Sequence, residues 1–241
     1  MKVVIIRHGE PDNPNNTLTK HGFKEVEALS EYLKDFKFDD VYVSPLPRAQ
    51  LTAKGVLDPL NIKFTTIPWL QEFDHRVNVP YTDKKVINWD FLPKFFTEQD
   101  DFYDEAKYLD HKVLKTGEVK KYYYEVTKGI DEILAKHGYH RKDKYYEVTN
   151  ENKDNIVFFC HFGTMCVIMS HLLNIPYVVL AQTFVCLPTG ITTLVTEERE
   201  KGIAQFRCMQ FGNLTHLENK KIEPSFHARF CETYSSFDEK H

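Results

Sequence analysis

A basic side chain and an imidazole stand next to each other near the start of the chain. Arg7 and His8 directly follow the apolar run at residues 3–6, and Gly9 comes after them. An unbroken β-branched run predicts a strand buried on both faces, so the pair lies where a buried strand leaves its sheet. Glycine allows a sharp turn there. A guanidinium binds oxyanions and an imidazole can act as a nucleophile, so we predict an anion site, best suited to phosphate, with His8 close enough to react.

Two later predicted strands also end in polar, reactive residues. Ser44 and Arg48 follow the second strand, and His161 and Gly163 follow another apolar run at residues 155–160. The carboxyl ends of neighbouring parallel strands meet at one edge of a sheet, so two arginines and two histidines are expected to converge there. The amides that begin the helix after His161, including that of Gly163, add donors for a phosphate. The chain carries a net charge of −4, so such a positive corner favours an anionic substrate.

The elements that must position these groups alternate between strands and helices. Apolar spacing predicts a helix that is capped by Thr17 or Thr19 and ends near residue 37, helices over residues 49–57, 118–137 and 165–173, and strands over residues 40–43, 63–67, 189–196 and 204–211. This alternation predicts an α/β fold, a three-layer α/β/α sandwich around a mostly parallel central sheet. Residues 76–151 are rich in aromatic and charged side chains. We predict that they form a largely helical insertion, a cap over the site within a single domain of residues 1–241.

Composition and patterning exclude several classes of protein. The chain has no basic stripe, which argues against nucleic-acid binding. The longest apolar stretch, residues 175–187, is too short to span a bilayer, and the N-terminus lacks the pattern of a signal peptide. The widely spaced cysteines form no metal-ligand pattern and are interpreted as reduced core residues of a cytoplasmic protein, namely Cys160, Cys166, Cys186, Cys208 and Cys231. The pattern gives no indication of oligomeric state.

Taken in order, the motifs of the chain resemble those of the histidine phosphatase superfamily, in its phosphoglycerate mutase-like branch. The matching stretches are RHGE (7–10), LTKHG (18–22), SPLPRAQLTA (44–53), LQE (70–72), CHFGT (160–164), TGITTL (189–194) and GNLTHL (212–217). The tripeptide RHG alone recurs by chance, whereas this ordered series is specific. The series spans nearly the whole chain apart from residues 76–151.

The resemblance implies a metal-independent phosphatase that acts on a small phosphorylated metabolite and needs no cofactor. It implies that His8 is the nucleophile and forms a phosphohistidine. The residues that would hold the phosphoryl oxygens are Arg7, Arg48 and His161. Glu72 would protonate the leaving oxygen, and its apolar neighbours are expected to raise its pKa towards neutrality. Asp74 is the alternative acid.

The chain departs from the family pattern at two positions. Pro14 stands seven residues after Arg7, where the family usually has Asn, so the flanking Asn13 and Asn15 are the predicted substrate contacts. Phe162 stands where the acid phosphatase branch has an Asp after its second histidine, which argues against that branch. Two other functions fit the same motifs. One is phosphoryl transfer of the phosphoglycerate mutase type, and the other is binding of a phospho-ligand without catalysis.

Overall fold

The computed structural model describes residues 1–225 and 233–235. Its strands are β1 (Lys2–Arg7), β2 (Pro11–Asp12), β3 (Thr17–Leu18), β4 (Asp40–Val43), β5 (Thr65–Thr66), β6 (Arg76–Val79), β7 (Thr82–Ile87), β8 (Tyr139–Lys142), β9 (Tyr145–Val148), β10 (Asn155–Cys160), β11 (Ile191–Glu200) and β12 (Ile203–Asn213). Its α-helices are α1 (Lys20–Leu33), α2 (Pro47–Leu57), α3 (Pro93–Thr97), α4 (Lys112–Lys115), α5 (Val119–Lys136), α6 (Phe162–Leu173), α7 (Tyr177–Thr183) and α8 (Thr215–Lys220). Short 3-10 turns occupy Asp58–Leu60, Pro68–Leu70, Asp100–Tyr103 and Tyr108–Asp110.

A central sheet of eight strands has the order β5-β4-β10-β1-β11-β12-β9-β8. The pairings from β5 to β1 are parallel, whereas those from β1 to β8 are antiparallel. The predicted α/β fold is confirmed, but the prediction of a mostly parallel sheet is wrong, because the sheet is mixed. Two-residue turns join β11 to β12 and β8 to β9, and such short connections allow only antiparallel pairing. The β11–β12 hairpin also pairs antiparallel with β1, which is a contact between segments distant in the chain.

Helices cover both faces of this sheet because alternate residues of the buried strands point in opposite directions. On β1, Val4 and Ile6 pack with residues of α1 and α2, whereas Val3 and Ile5 pack with residues of α5 and α6. Each of these four side chains is at most 3% exposed. The unbroken apolar run in the sequence therefore does correspond to a strand that is buried on both faces.

Residues 76–151 contain both helices and hairpins. The helical part comprises α3, α4 and α5, and the hairpins are β6–β7 and β8–β9. The second hairpin extends the central sheet, since β9 pairs with β12 at Ile203 and Ala204. Helices and 3-10 turns cover more of the segment than strands do, and its role as a cap within one domain stays a prediction.

Two expectations from composition can be compared with the structure. Cys160, Cys166 and Cys186 are buried free thiols, as predicted, but Cys208 is exposed, because it lies in a stretch of β12, residues 207–210, that is exposed on both faces. Cys231 lies outside the described residues. No helix in residues 1–225 or 233–235 has both the length and the apolar character that crossing a membrane requires.

The strand order brings the three polar strand ends together. β10 lies between β4 and β1 and is parallel to both, as the sequence predicted. Arg7 pairs in register with Cys160, and Phe159 pairs with Val43. The residues that follow these three strands therefore emerge side by side at one edge of the sheet.

Gly22, in the first turn of α1, allows the loop after His8 to pack against the helix. A Cβ atom at this position would lie 2.4 Å from the carbonyl oxygen of Glu10, a backbone atom that cannot rotate away. We expect Gly22→Ala to lower the free energy of unfolding by about 1–3 kcal/mol, as overpacking does elsewhere. Urea unfolding measures the change, with Lys20→Ala in the same turn as the exposed control. Equal stability of the two variants would contradict this packing role.

Candidate active site

His8 is a buried, neutral imidazole that directly follows β1. Its side chain is 3% exposed, and its Nδ1 lies 2.7 Å from the carbonyl oxygen of Gly9. A carbonyl oxygen can only accept, so Nδ1 carries the hydrogen and Nε2 carries the lone pair. Arg48 donates from Nε to this Nε2 at 3.1 Å. Burial, followed by the charges of Arg7 and Arg48, lowers the pKa of His8 well below 6.5. The ring is therefore held in the form that a nucleophile requires.

His161 follows β10 and lies next to His8, with 5.0 Å between the ring centroids. Its Nδ1 accepts a hydrogen bond from Arg48 Nε at 3.3 Å, so its Nε2 donates to Ser44 Oγ at 2.7 Å. Burial lowers the pKa of His161 well below 6.5, and the neighbouring His8 and arginines act in the same direction. One guanidinium N–H is thus shared between two neutral imidazoles, which fixes both rings relative to Arg48.

Arg7 is held by backbone and ring contacts and has no carboxylate partner in hydrogen-bond contact among the described residues. Its Nη1 donates to the carbonyl oxygen of Cys186, and its guanidinium carbon lies 5.7 Å from the centre of the Phe162 ring. Its Nε is buried and has no hydrogen-bond acceptor within the described part of the chain. Arg7 therefore keeps donor capacity and positive charge for an anion.

Glu72 lies after the 3-10 turn at Pro68–Leu70, against the first turn of α6. Its Oε1 accepts hydrogen bonds from the amides of Phe73 and Gly163, each at 2.9 Å. Burial raises the pKa of Glu72 above 4.5, and the charge of Arg7 opposes that shift. A carboxyl group that keeps its proton towards higher pH can serve as a general acid.

Gly163 has a different contact from the one that the sequence predicted. Its amide donates to Glu72 and so holds the acid in position, and its predicted contact with phosphate stays a prediction. A Cβ atom on Gly163 would lie 2.6 Å from Trp89 Nε1 and 2.8 Å from Glu72 Oε1. The position therefore requires glycine so that the acid can lie close to the helix.

These groups open into a cavity of about 650 Å³. It is lined by Arg7, His8, Pro11, Asp12, Asn13, Pro14, Thr19, Arg48, Glu72, Asp74 and Pro188. Among the predicted contacts, Asn13 lines the cavity, whereas the Asn15 amide instead donates to the Asp12 carboxylate at 2.8 Å. His161 lies behind the lining residues and is fully buried.

The described residues include no group of three or more His, Cys, Asp or Glu side chains that could hold a metal ion. Among the described residues, the positive charge of the cavity lining comes from Arg7 and Arg48, and both charges act on His8. Guanidinium groups can donate hydrogen bonds to the oxygens of a phosphoryl group.

Comparison with known proteins identifies the family. Residues 3–209 match the model of the histidine phosphatase superfamily (branch 1). The chain belongs to this superfamily. The resemblance that we inferred from the ordered motifs is thereby confirmed. One curated relative of this superfamily member is the uncharacterized phosphatase PhoE of Bacillus subtilis, which is 29% identical over 82 residues. That alignment covers 30% of this chain and 42% of the relative, so it spans less than half of the relative's length.

Solved structures share the fold of this histidine phosphatase superfamily member over most of its length. Phosphoserine phosphatase from Entamoeba histolytica, solved with 3-phosphoglyceric acid, has a TM-score of 0.58 and 18% identity and covers 90% of this chain and 98% of its own. A mycobacterial glucosyl-3-phosphoglycerate phosphatase, solved with inorganic phosphate, has a TM-score of 0.59 and 15% identity. The alignment covers 89% of this chain and 98% of that chain. At these identities the likeness concerns the fold alone.

Some cavity residues of this superfamily member were missed by sequence reasoning. Pro188 reaches the cavity because β11 pairs with β1. The amide of Arg7 donates a hydrogen bond to the carbonyl oxygen of Gly190, and the amide of Thr189 donates one to the carbonyl oxygen of His8. The TGITTL motif predicted a strand at residues 189–196. Only the pairing of β11 with β1 shows that the loop that precedes β11 lies beside the end of β1. The sequence did not indicate that Asp12 lines the cavity, because a polar residue in a loop rich in Asn and Pro predicts only a turn.

Proposed function

We propose that the protein hydrolyses small phosphate monoesters through a phosphohistidine on His8. The observation that carries the proposal is the neutral His8 ring, whose Nε2 lone pair lies 3.1 Å from Arg48 Nε in a cavity that Arg7 and Glu72 also line. Membership of the histidine phosphatase superfamily supports it. The phosphatase names of the relative and of the structural neighbours point in the same direction.

In the first step Nε2 of His8 attacks phosphorus, and the bond from phosphorus to the ester oxygen breaks. The proton of Glu72 passes to the leaving oxygen, so an alcohol departs and Glu72 becomes a carboxylate. Arg7 and Arg48 neutralise the charge on the phosphoryl oxygens, and His161 keeps Arg48 oriented from the other side. We therefore assign His161 and Arg48 to the phosphate end of the cavity.

In the second step a water molecule attacks the phosphoryl group and the phosphorus–nitrogen bond breaks. The Glu72 carboxylate takes the proton of that water, so phosphate leaves and the acid is restored. Two guanidinium groups supply the charge neutralisation that a divalent cation supplies in other phosphoryl-transfer enzymes. We therefore propose that the reaction needs neither a metal nor a cofactor.

Trapping of the intermediate tests this proposal. With excess EDTA, wild-type protein is expected to release phosphate from p-nitrophenyl phosphate. Quenching during turnover of a ³²P-labelled monoester should yield a protein-bound label that acid removes and alkali does not, as for a phosphoramidate of histidine. A label that survives acid, or a release of phosphate that EDTA abolishes, would rule out the proposed route.

The pH dependence of the reaction provides a second test. The first step needs neutral His8 together with protonated Glu72, and at the ordinary pKa values of 6.5 and 4.5 the two states rarely coexist. Because the pKa of His8 is lowered and that of Glu72 is raised, a larger fraction of molecules holds a neutral His8 and a protonated Glu72 at the same time. Rate is lost as pH falls through the lowered pKa of His8 and as pH rises through the raised pKa of Glu72. We therefore expect kcat/KM for an alkyl phosphate to be higher at pH below 6.5 than at pH 8. A rate that increases steadily from pH 5 to pH 8 would contradict these roles.

A further inference from the structure

The charges that line the cavity are of both signs. Arg7 and Arg48 are the basic residues among the lining side chains of the described chain, and the charges of both act on His8, where the proposed function places the phosphoryl group. The remaining charged residues of the lining, apart from the acid Glu72, are Asp12 and Asp74. The part of a substrate that extends beyond the phosphoryl group therefore meets negative charge.

We propose that this cavity selects phosphate monoesters whose leaving group carries a positive charge, such as phosphorylated amino alcohols. It discriminates against leaving groups that carry a carboxylate or a second phosphate. The inference rests on the proposed function, since it takes the phosphoryl group to lie at His8. An ammonium group is attracted by the carboxylates of Asp12 and Asp74, whereas an anionic group is repelled by them. Within residues 1–225 and 233–235, the lining offers an anionic group no cationic side chain besides Arg7 and Arg48.

Asp74 lies close in the chain to the residue that we propose as the acid, and it lines the same cavity. It lies two residues after Glu72, the group that protonates the leaving oxygen, and its side chain is exposed to the cavity. Burial raises the pKa of Glu72, and the charge of Asp74 adds to that shift. Burial lowers the pKa of Arg48, and the charges of Glu72 and Asp74 oppose that shift, so the Asp74 carboxylate is within electrostatic reach of both groups. Within residues 1–225 and 233–235 its carboxylate has no hydrogen-bond or ion-pair partner, so it is free to bind a cation.

Asp12 supplies the second carboxylate, from the short strand β2. Its Oδ2 accepts from the Asn15 side chain at 2.8 Å and its Oδ1 from the Asn15 backbone amide at 3.3 Å. These bonds orient the carboxylate but do not neutralise it, because neither donor is charged. Besides His8, the uncharged residues of the described lining are Asn13, Thr19 and three prolines, Pro11, Pro14 and Pro188, and the prolines have no N–H to donate to an anionic group.

Three phosphate monoesters of nearly equal size test the selection by charge. Phosphoethanolamine carries an ammonium group, 2-hydroxyethyl phosphate a neutral hydroxyl group, and 2-phosphoglycolate a carboxylate. At low ionic strength, where screening is weak, we expect kcat/KM to fall in that order, with at least about a tenfold span between the first and the last. Asp74→Asn and Asp12→Asn should each reduce this span by about threefold, the size of one partly exposed charge interaction. Asp83→Asn, on β7 and away from the cavity, is the matched control and should leave the span unchanged.

The readouts separate the charge preference from the proposed function. The affinities of a His8→Ala variant for the three monoesters should fall in the same order, so that the dissociation constant is lowest for phosphoethanolamine, because binding requires no turnover. If that order holds and no phosphohistidine forms, the proposed function fails and the selection by charge stands. If phosphohistidine forms but the three monoesters react and bind equally, or 2-phosphoglycolate is preferred, the selection by charge is overturned. An Asp74→Asn variant that loses turnover of all three monoesters alike would also overturn it, because Asp74 would then act as the acid.

Discussion

Replacing His8 by Ala is expected to lower kcat/KM for p-nitrophenyl phosphate by at least about 10³-fold, as removal of a covalent nucleophile does in other enzymes. The variant keeps Arg7 and Arg48, so it should still bind the phosphoryl group. It lacks the Nε2 lone pair, however, and only direct attack by water remains. Steady-state kinetics with EDTA present measure the loss, and the acid-labile label should be absent.

The matched control is His140→Ala, since His140 is exposed on β8 and lies outside the cavity lining. Its kinetics should equal those of the wild type. His8→Gln provides a second test, because Gln can still accept a hydrogen bond from Arg48 and so preserves the packing of the buried position. It should be as inactive as His8→Ala. A His8→Gln variant that keeps a tenth or more of the wild-type rate would mean that another group attacks phosphorus.

The sequence predicted that the residues following β1, β4 and β10 meet in one site, because the pattern that indicates each strand end lies within a few residues of it. Each of β1, β4 and β10 is a short apolar run followed at once by polar residues, and parallel neighbours bring such ends to one edge. His8 and His161 follow their strands directly, so no error in a loop could misplace them. The roles assigned to these side chains remain predictions that the variants above test.

Features that depend on pairing between distant segments could not be predicted in this way. The mixed sheet arises because the β11–β12 hairpin inserts beside β1, and nothing in the strand sequences distinguishes that edge from the other. The bond from the Gly163 amide to Glu72 joins residues 91 positions apart, and a backbone amide leaves no trace in the sequence. Cys208 is exposed because residues 207–210 of β12 are exposed on both faces, and tertiary packing decides which part of a strand is covered.

Glu72→Gln is expected to lower kcat/KM for an alkyl phosphate by about 10²–10⁴-fold, the usual contribution of a general acid. The amide oxygen of Gln can still accept from Phe73 and Gly163, so the fold and the cavity should be preserved. The loss should be far smaller in the first step with p-nitrophenyl phosphate, because nitrophenolate departs without a proton. The decline of the rate at high pH should also disappear, since no carboxyl group remains to lose its proton.

The same variant should accumulate the intermediate. In the second step Glu72 accepts a proton from water, so Glu72→Gln slows hydrolysis of the phosphohistidine while p-nitrophenyl phosphate still forms it. We expect a burst of nitrophenolate and a larger fraction of acid-labile label than in the wild type. Asp74→Asn distinguishes the two candidate acids, because it removes a carboxylate that lines the same cavity but makes no bond to Gly163. Accumulation of the label in Asp74→Asn, with normal turnover in Glu72→Gln, would assign the acid to Asp74. The reverse result would assign it to Glu72, whose position between the Gly163 amide and the cavity allows one carboxyl group to serve both steps.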